Sequence, residues 1–275
     1  MGLSKMRIQR PKWASTEIPV LLAVFWLLFS CAPTYCQDVD LNTKIMADRL
    51  AKYLTSWNAL HSPGVAISLK EKSREKVENA TAVRYRLLGT GFPRDKVYEI
   101  LETSFYLQPQ VNLDGVTFDD SGQAICAGKD DTCGDSQKPN DPIDLIMLAA
   151  KGEPKRISLV SEDGQVKAST YVVPFPNVGS DRLCFVEAIL LLPNAEAVLV
   201  RASGLGPLSK IHLVGDSEGE KQEHDAQAAG DGTFDSVQLP YVKGKSKGTT
   251  RITLQTESCS PSVSFTWGKN TYHFQ

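Results

Sequence analysis

Histidine is scarce in this chain, and so are the residue patterns that carry chemistry. Four histidines, at positions 61, 212, 224 and 273, are spread over 275 residues, and none sits in a general-base motif. A serine becomes a nucleophile only when an imidazole and its orienting acid reach it. The stretches Gly134-Asp-Ser136 and Gly215-Asp-Ser-Glu-Gly219 therefore read as polar turns. There is no His-Glu-x-x-His, no paired-cysteine zinc framework and no dinucleotide fingerprint. Gly244-Lys-Ser246 has the ending of a phosphate loop, but Leu239 stands where that loop needs glycine. No catalytic residue, metal ligand or cofactor is expected, and the chain is not expected to be an enzyme.

Long apolar runs are also missing, with one exception. Ile18 to Phe29 is apolar and follows Lys5, Arg7, Arg10 and Lys12. It is short of the roughly 20 residues of a comfortable membrane span. A positive stretch before a short apolar one reads as a signal peptide over residues 1–36, cleaved after Cys36. The alternatives are lipid attachment at Cys31, in the lipobox-like Leu28-Phe-Ser-Cys31, and an uncleaved anchor. Removing four Lys/Arg and one Glu leaves 26 basic against 31 acidic residues, a net charge of −5. A mildly acidic body argues against nucleic acid as a partner. The expected location is extracytoplasmic: periplasmic, outer-membrane-associated or secreted. Membrane contact is expected only through a lipid on Cys31.

Four cysteines remain beyond the leader: Cys126, Cys133, Cys184 and Cys259. An even number in an exported chain suggests two disulfides, and four cysteines allow three pairings. The favoured pairs are Cys126–Cys133, closing a local loop, and Cys184–Cys259, tying the second half together. Zinc is the alternative, but Cys-x6-Cys is not a usual ligand spacing and no histidine lies near it.

Helical periodicity is confined to Leu41–Leu60, where Leu41, Ile45, Leu50, Tyr53, Leu54 and Trp57 recur on one face. Asp40 or Asn42 can cap its start and Pro63-Gly64 ends it. The expectation is a helix packed on the first module, or else an arm exposing Tyr53 and Trp57. After it, alternation dominates. Val65, Ile67 and Leu69 predict a strand, Glu71 to Glu78 a solvated loop, and Thr81 to Leu88 another strand. Phe105 and Tyr106 read as core, or as an aromatic platform for a sugar or peptide.

A repeat organises what remains. Leu87-Leu-Gly-Thr-Gly-Phe-Pro-Arg-Asp-Lys-Val-Tyr98 is echoed by Val200-Arg-Ala-Ser-Gly-Leu-Gly-Pro-Leu-Ser-Lys-Ile-His212. Each is an apolar run, a glycine gap, a proline, then lysine and a new β-type run. Asp119-Asp-Ser-Gly122 is answered by Ala229-Gly-Asp-Gly232, and Arg156-Ile-Ser-Leu-Val160 by Arg251-Ile-Thr-Leu-Gln255. The first copy carries about 15 more residues between its last two landmarks, and that interval holds Cys126, Cys133 and an acidic loop. Lys129, Asp130, Asp131 and Asp135 are its candidate binding residues. Hard oxygen ligands suit calcium, but the Asp-x-Asp-x-Asp-Gly spacing is absent, so a disulfide-braced solvated loop is expected instead.

On Gly89-Thr-Gly-Phe-Pro93 with Lys96-Val97, Ser203-Gly-Leu-Gly-Pro207 with Lys210-Ile211, and the Gly122 and Gly232 turns, the chain resembles tandem immunoglobulin-like (IPT/TIG-type) repeats of exported bacterial proteins. Arg94 and Leu208 stand where that pattern commonly has glycine after the proline. The resemblance implies a sandwich fold and a non-catalytic role, without implying a ligand. The expected fold is all-β, with two tandem Ig-like β-sandwiches behind the leader and one short helix. The expected boundaries are 37–62 for the helix, 63–178 for the first sandwich and 179–275 for the second, joined by a linker at Asn177-Val-Gly-Ser-Asp181. The expected function is a binding or adhesion module for a protein or glycan of the cell envelope, through the 123–145 region. The alternative is a structural spacer or assembly subunit.

Overall fold

The fold is taken from a computed structural model of the chain. It describes residues 41–56, 61–78, 80–105, 109–128, 133 and 138–269. Leader residues 1–36, with Cys31, lie outside the described residues. So do Lys129, Asp130, Asp131 and Asp135 of the acidic loop, and Trp57 and Tyr106.

One helix, α1 (Leu41–Ser56), precedes sixteen strands among the described residues. The first module is β1 (Ala66–Val77), β2 (Ala80–Thr90), β3 (Tyr98–Thr103), β4 (Gln110–Phe118), β5 (Ala124–Cys126), β6 (Asp144–Leu148), β7 (Lys155–Ser161) and β8 (Lys167–Val172). Its sheets run β1-β2-β6 and β5-β4-β3-β7-β8. The second comprises β9 (Asn177–Asp181), β10 (Cys184–Leu190), β11 (Val198–Ser203), β12 (Lys210–Ser217), β13 (Glu220–Gln227), β14 (Phe234–Gln238), β15 (Lys247–Gln255) and β16 (Ser262–Gly268). Its sheets run β14-β11-β10-β9 and β13-β12-β15-β16. Every named pairing is antiparallel.

The two modules are copies of one topology. A hairpin in one sheet leads to a hairpin in the facing sheet. One strand returns, and a last hairpin closes the second sheet. So β1, β2, β3, β4, β6, β7 and β8 correspond to β10, β11, β12, β13, β14, β15 and β16. Only β5 and β9 lack a counterpart. This is the tandem Ig-like β-sandwich fold.

Alternation builds each core. Tyr98 and Ile100 on β3, and Ile157 and Leu159 on β7, are all fully buried. Ile211 and Leu213 on β12 occupy the matching inward positions in the second module, as do Ile252 and Leu254 on β15. Trp267 on β16 is also fully buried there. The first core adds an aromatic knot: Phe92 stacks on Phe118 at 4.6 Å, and Tyr98 meets both rings edge-on.

Gly91 and Gly204 hold equivalent corners, both at positive φ (73° and 75°). A Cβ at Gly91 would lie 2.0 Å from the carbonyl oxygen of Gly64, and one at Gly204 would lie 2.1 Å from that of Leu183. Glycine is needed at each by conformation and by space alike.

Three sequence expectations are corrected. The charged stretch Glu71 to Glu78 is not a loop: to Val77 it continues β1, in a long hairpin with β2. Its apolar residues are few because that end of the hairpin is solvent-exposed on β1. The expected linker 177–181 is strand β9, paired along β10. Helix α1 packs mainly on the second module, with Tyr171 of β8 and Arg156 of β7 reaching it from the first. Its buried stripe is Ala47, Ala51 and Leu54, with Leu50 and Tyr53 alongside, on Ile189, Leu191, Ala197 and Leu199. Ile45, expected on the buried face, is 40% exposed. Two of the three stripe positions are alanine, a small residue that adds little apolar signal to the helix in the sequence.

Candidate functional site

The main asymmetry between the copies lies between β4 and β6. In the second module the matching strands, β13 and β14, are joined by residues 228–233. In the first, the chain adds β5 and a loop before reaching β6. Strand β5 pairs with β4 through Val116–Cys126, Thr117–Ile125 and Phe118–Ala124.

The base of this insertion is tightly knit. Cys126 N–H donates to the Asp141 carbonyl (3.0 Å), Asn140 N–H to the Cys126 carbonyl (3.0 Å) and Ile143 N–H to the Ala124 carbonyl (2.9 Å). Ala127 N–H reaches the Gly115 carbonyl at 2.8 Å. The Asp141 carboxylate accepts from the Lys138 N–H at 2.8 Å. Cys126 and Cys133 stand in a disulfide, with Cα atoms 5.8 Å apart, and both are buried. The insertion is therefore anchored at both ends, and the segment bearing the acidic residues leaves from that anchor.

The turn before β5 is set by Asp119. Its carboxylate accepts from the Ser121 hydroxyl (2.7 Å) and from the Ser121 and Gln123 amides (2.9 Å each). The Ser121 hydroxyl bond, then the Gln123 amide, holds its pKa below the ordinary aspartate value. Arg94 pairs with Asp120 beside it.

The second cystine, Cys184–Cys259, joins the start of β10 to the β15–β16 connection, with Cα atoms 6.4 Å apart. There Arg182 also donates to the Ser258 carbonyl (2.6 Å), and the Ser260 amide donates to Asp181 (2.6 Å).

The remaining chemical candidates are structural. Ser217 of the Gly215–Gly219 stretch is buried. Its hydroxyl accepts the Trp267 indole N–H (2.9 Å) and donates to the Pro240 carbonyl. No base reaches it. Gly134-Asp-Ser136 lies outside the described residues. His212 Nδ1 stands 2.8 Å from Asp225 and its Nε2 3.6 Å from Glu223. The Asp225 hydrogen bond, first, and the nearby carboxylates raise its pKa. It borders an open depression with Lys210, Gln227, Gln255 and Glu257, and no serine or cysteine lines that depression. Among the described residues, no group of three or more His, Cys, Asp or Glu could hold a metal ion. No helix among them is long and apolar enough to cross a membrane.

What sequence reasoning missed is the junction between modules. Phe105, expected in a first-module core or platform, packs against the second module's core. The Gly152 N–H donates to the Phe175 carbonyl (2.6 Å), and the Leu190 N–H of β10 donates to the Gly152 carbonyl (2.8 Å). Glu153 is fully buried and pairs with Lys155 at 2.9 Å. Arg201 of β11 holds Asp235 with two bonds of 2.9 Å and also reaches the Tyr171 hydroxyl. Arg156 of β7 reaches the Tyr53 hydroxyl of α1 and lies over its ring. Each of these residues is ordinary in its own sequence neighbourhood, so no local pattern marks them.

No family model matches the chain, and no curated protein matches it. Solved structures do. A two-domain fibronectin type-III segment of chicken tenascin is 15% identical, covering 74% of this chain and 98% of its own, with a TM-score of 0.20. A tetra-tandem repeat from the extending region of a large adhesion protein is 13% identical over 76% of this chain and half of its own, with a TM-score of 0.24. The chicken interferon gamma receptor alpha chain is 8% identical over 75% of this chain and 98% of its own, with a TM-score of 0.20.

Proposed function

We propose that this chain is a non-catalytic, extracytoplasmic binding module, a braced pair of sandwiches that presents the β4–β6 insertion of the first to a protein or glycan partner. The observation that carries the reading is the insertion itself. It is the main departure of one copy from the other, and its base is held by a strand pairing, a disulfide and four backbone hydrogen bonds. A fixed base sets where the loop leaves the sandwich, which favours recognition at that place. Loops on a rigid scaffold are where such folds place recognition. Two disulfides fit an oxidising compartment.

Replacing Lys129, Asp130, Asp131 and Asp135 together by alanine, which keeps Cys126, Ala127 and Cys133, tests the reading, with wild type and variant screened against the same immobilised glycans and extracellular proteins. The expected result is a partner for the wild type that the variant loses at least tenfold in affinity, with an unchanged far-UV CD spectrum. Equal binding by both proteins would contradict it.

The second reading, a structural spacer, is favoured by the junction. Bonds from both modules and from α1 converge there, which suits a segment that must hold its span.

A further inference from the structure

The registers of the two modules can be laid over one another. Ile67 pairs with Gly89 as Val186 pairs with Ala202, and Lys70 faces Arg86 as Ile189 faces Leu199. On the third strand Arg86 faces Asp144 as Leu199 faces Val237. The positions that α1 covers in the second module therefore have exact counterparts on the outward face of β1-β2-β6. Ile189 becomes Lys70, Leu199 becomes Arg86, Ala197 becomes Arg84, and Leu191 falls at the β1 bulge that holds Lys72. An apolar seat for a helix has become a cationic face that no described helix covers.

This face is short of acid. Lys72 and Arg86 share a single carboxylate, that of Asp144, at 2.9 and 3.5 Å. Glu75 is the other acid on the face, and it accepts the Ser73 hydroxyl. Lys70 and Arg84 form no ion pair among the described residues. The excess is local, because the whole chain is net −2. The cations do not stand alone. Ile146, opposite Arg84 on β6, is 54% exposed, and Leu148, opposite Ala82, is 43% exposed. Val77, at the end of the β1–β2 hairpin, is 49% exposed. Ile146 and Leu148, two residues apart on β6, point to the same outward side and place an apolar strip directly beside the cations. A polyanionic glycan would engage the cations and gain little from the apolar side chains. A bilayer surface takes both, cations at the headgroups and apolar side chains at the acyl boundary.

We propose that the outward face of β1-β2-β6 is a peripheral docking site for an anionic phospholipid surface. Lys70, Lys72, Arg84 and Arg86 supply the attraction, and Ile146 and Leu148 supply the shallow insertion. Strand β5 of the insertion pairs with β4 in the other sheet, while the docking residues lie on β1, β2 and β6.

The test is co-sedimentation of the full chain with vesicles. One set holds equal parts phosphatidylglycerol and phosphatidylcholine, the other phosphatidylcholine alone. The proposal expects binding to the first set only. Lys70→Glu/Arg84→Glu should weaken it by about tenfold or more, since each surface cation contributes about 1 kcal/mol at an anionic bilayer. Ile146→Asn/Leu148→Asn should weaken it further as salt is raised, because insertion is not screened. Lys243→Glu/Lys245→Glu, on the second module, should leave it unchanged. No binding to the anionic vesicles would overturn the proposal, as would equal loss in the second-module variant. Retained binding in Lys70→Glu/Arg84→Glu, with a native far-UV CD spectrum, would do the same. A sulfated oligosaccharide that displaces the protein while Ile146→Asn/Leu148→Asn has no effect would assign the face to glycan and overturn it too. The alanine variant at Lys129, Asp130, Asp131 and Asp135 should leave vesicle binding intact, so the two readings fail separately.

Discussion

At Gly204 the chain turns from β11 towards β12 with φ at 75°, and a Cβ there would meet the Leu183 carbonyl oxygen at 2.1 Å. Gly206, two residues on, has its nearest atom, the Ser209 Cβ, at 3.6 Å and no positive φ. Gly204→Ala should therefore destabilise the protein by about 2 kcal/mol or more, and Gly206→Ala by under about 0.5 kcal/mol. Urea unfolding of the two variants makes the comparison, and equal midpoints would contradict it. The corner was legible beforehand, because a glycine gap followed by a proline between two apolar runs marks a turn; that Gly204 rather than Gly206 carries the constraint was not. The alternation of Val263, Phe265 and Trp267 with Ser262, Ser264 and Thr266 turns Trp267 inward. Its partner was not legible. Ser217 lies 50 residues away, and only the meeting of β12's end with β16 brings its hydroxyl to the indole at 2.9 Å.

Among elements, strands were easier to read than their environment. Period-2 alternation located β7 and β15 because the central inward pairs, Ile157 with Leu159 and Ile252 with Leu254, are apolar. It failed along β1, where both faces beyond Leu69 are solvated and the alternation of charges carries no sidedness. It failed for β9 too, whose Val178 is 62% exposed and whose glycine and serine resemble a linker. Gly179 is there because its backbone passes against Ser262, where a Cβ would come 1.7 Å from the carbonyl oxygen. The helix was found, but its seat was misjudged, since amphipathicity says which face is buried and not against what. The structure makes the seat testable. Leu54 is 3% exposed, against the second module. Leu54→Ala should cost about 2–4 kcal/mol. It should also speed amide exchange at Ile189 and Leu199 while leaving the β1–β2 pairing unchanged. Faster exchange in β1–β2 with none in β10–β11 would place the helix elsewhere.

For the whole molecule, the duplication was visible in sequence because its landmarks are turns, and turn chemistry is local. The brace between the copies was not visible, because it is made from single residues far apart in the chain: Tyr53, Phe105, Gly152, Arg156, Tyr171 and Arg201. Interfaces between domains in a chain are by default mobile unless they are substantial. Here Phe105 enters the neighbouring core, a backbone bond crosses from Gly152 to Leu190, and α1 bonds to β7 while packing on β10 and β11. Such a junction fixes orientation, and a fixed orientation is what either a presented loop or a spacer requires. The most direct test is a set of backbone residual dipolar couplings from the weakly aligned chain. If the account is right, one alignment tensor fits the amides of residues 66–172 and 177–268 together. Two tensors of clearly different magnitude would mean that the sandwiches reorient independently, and would contradict it.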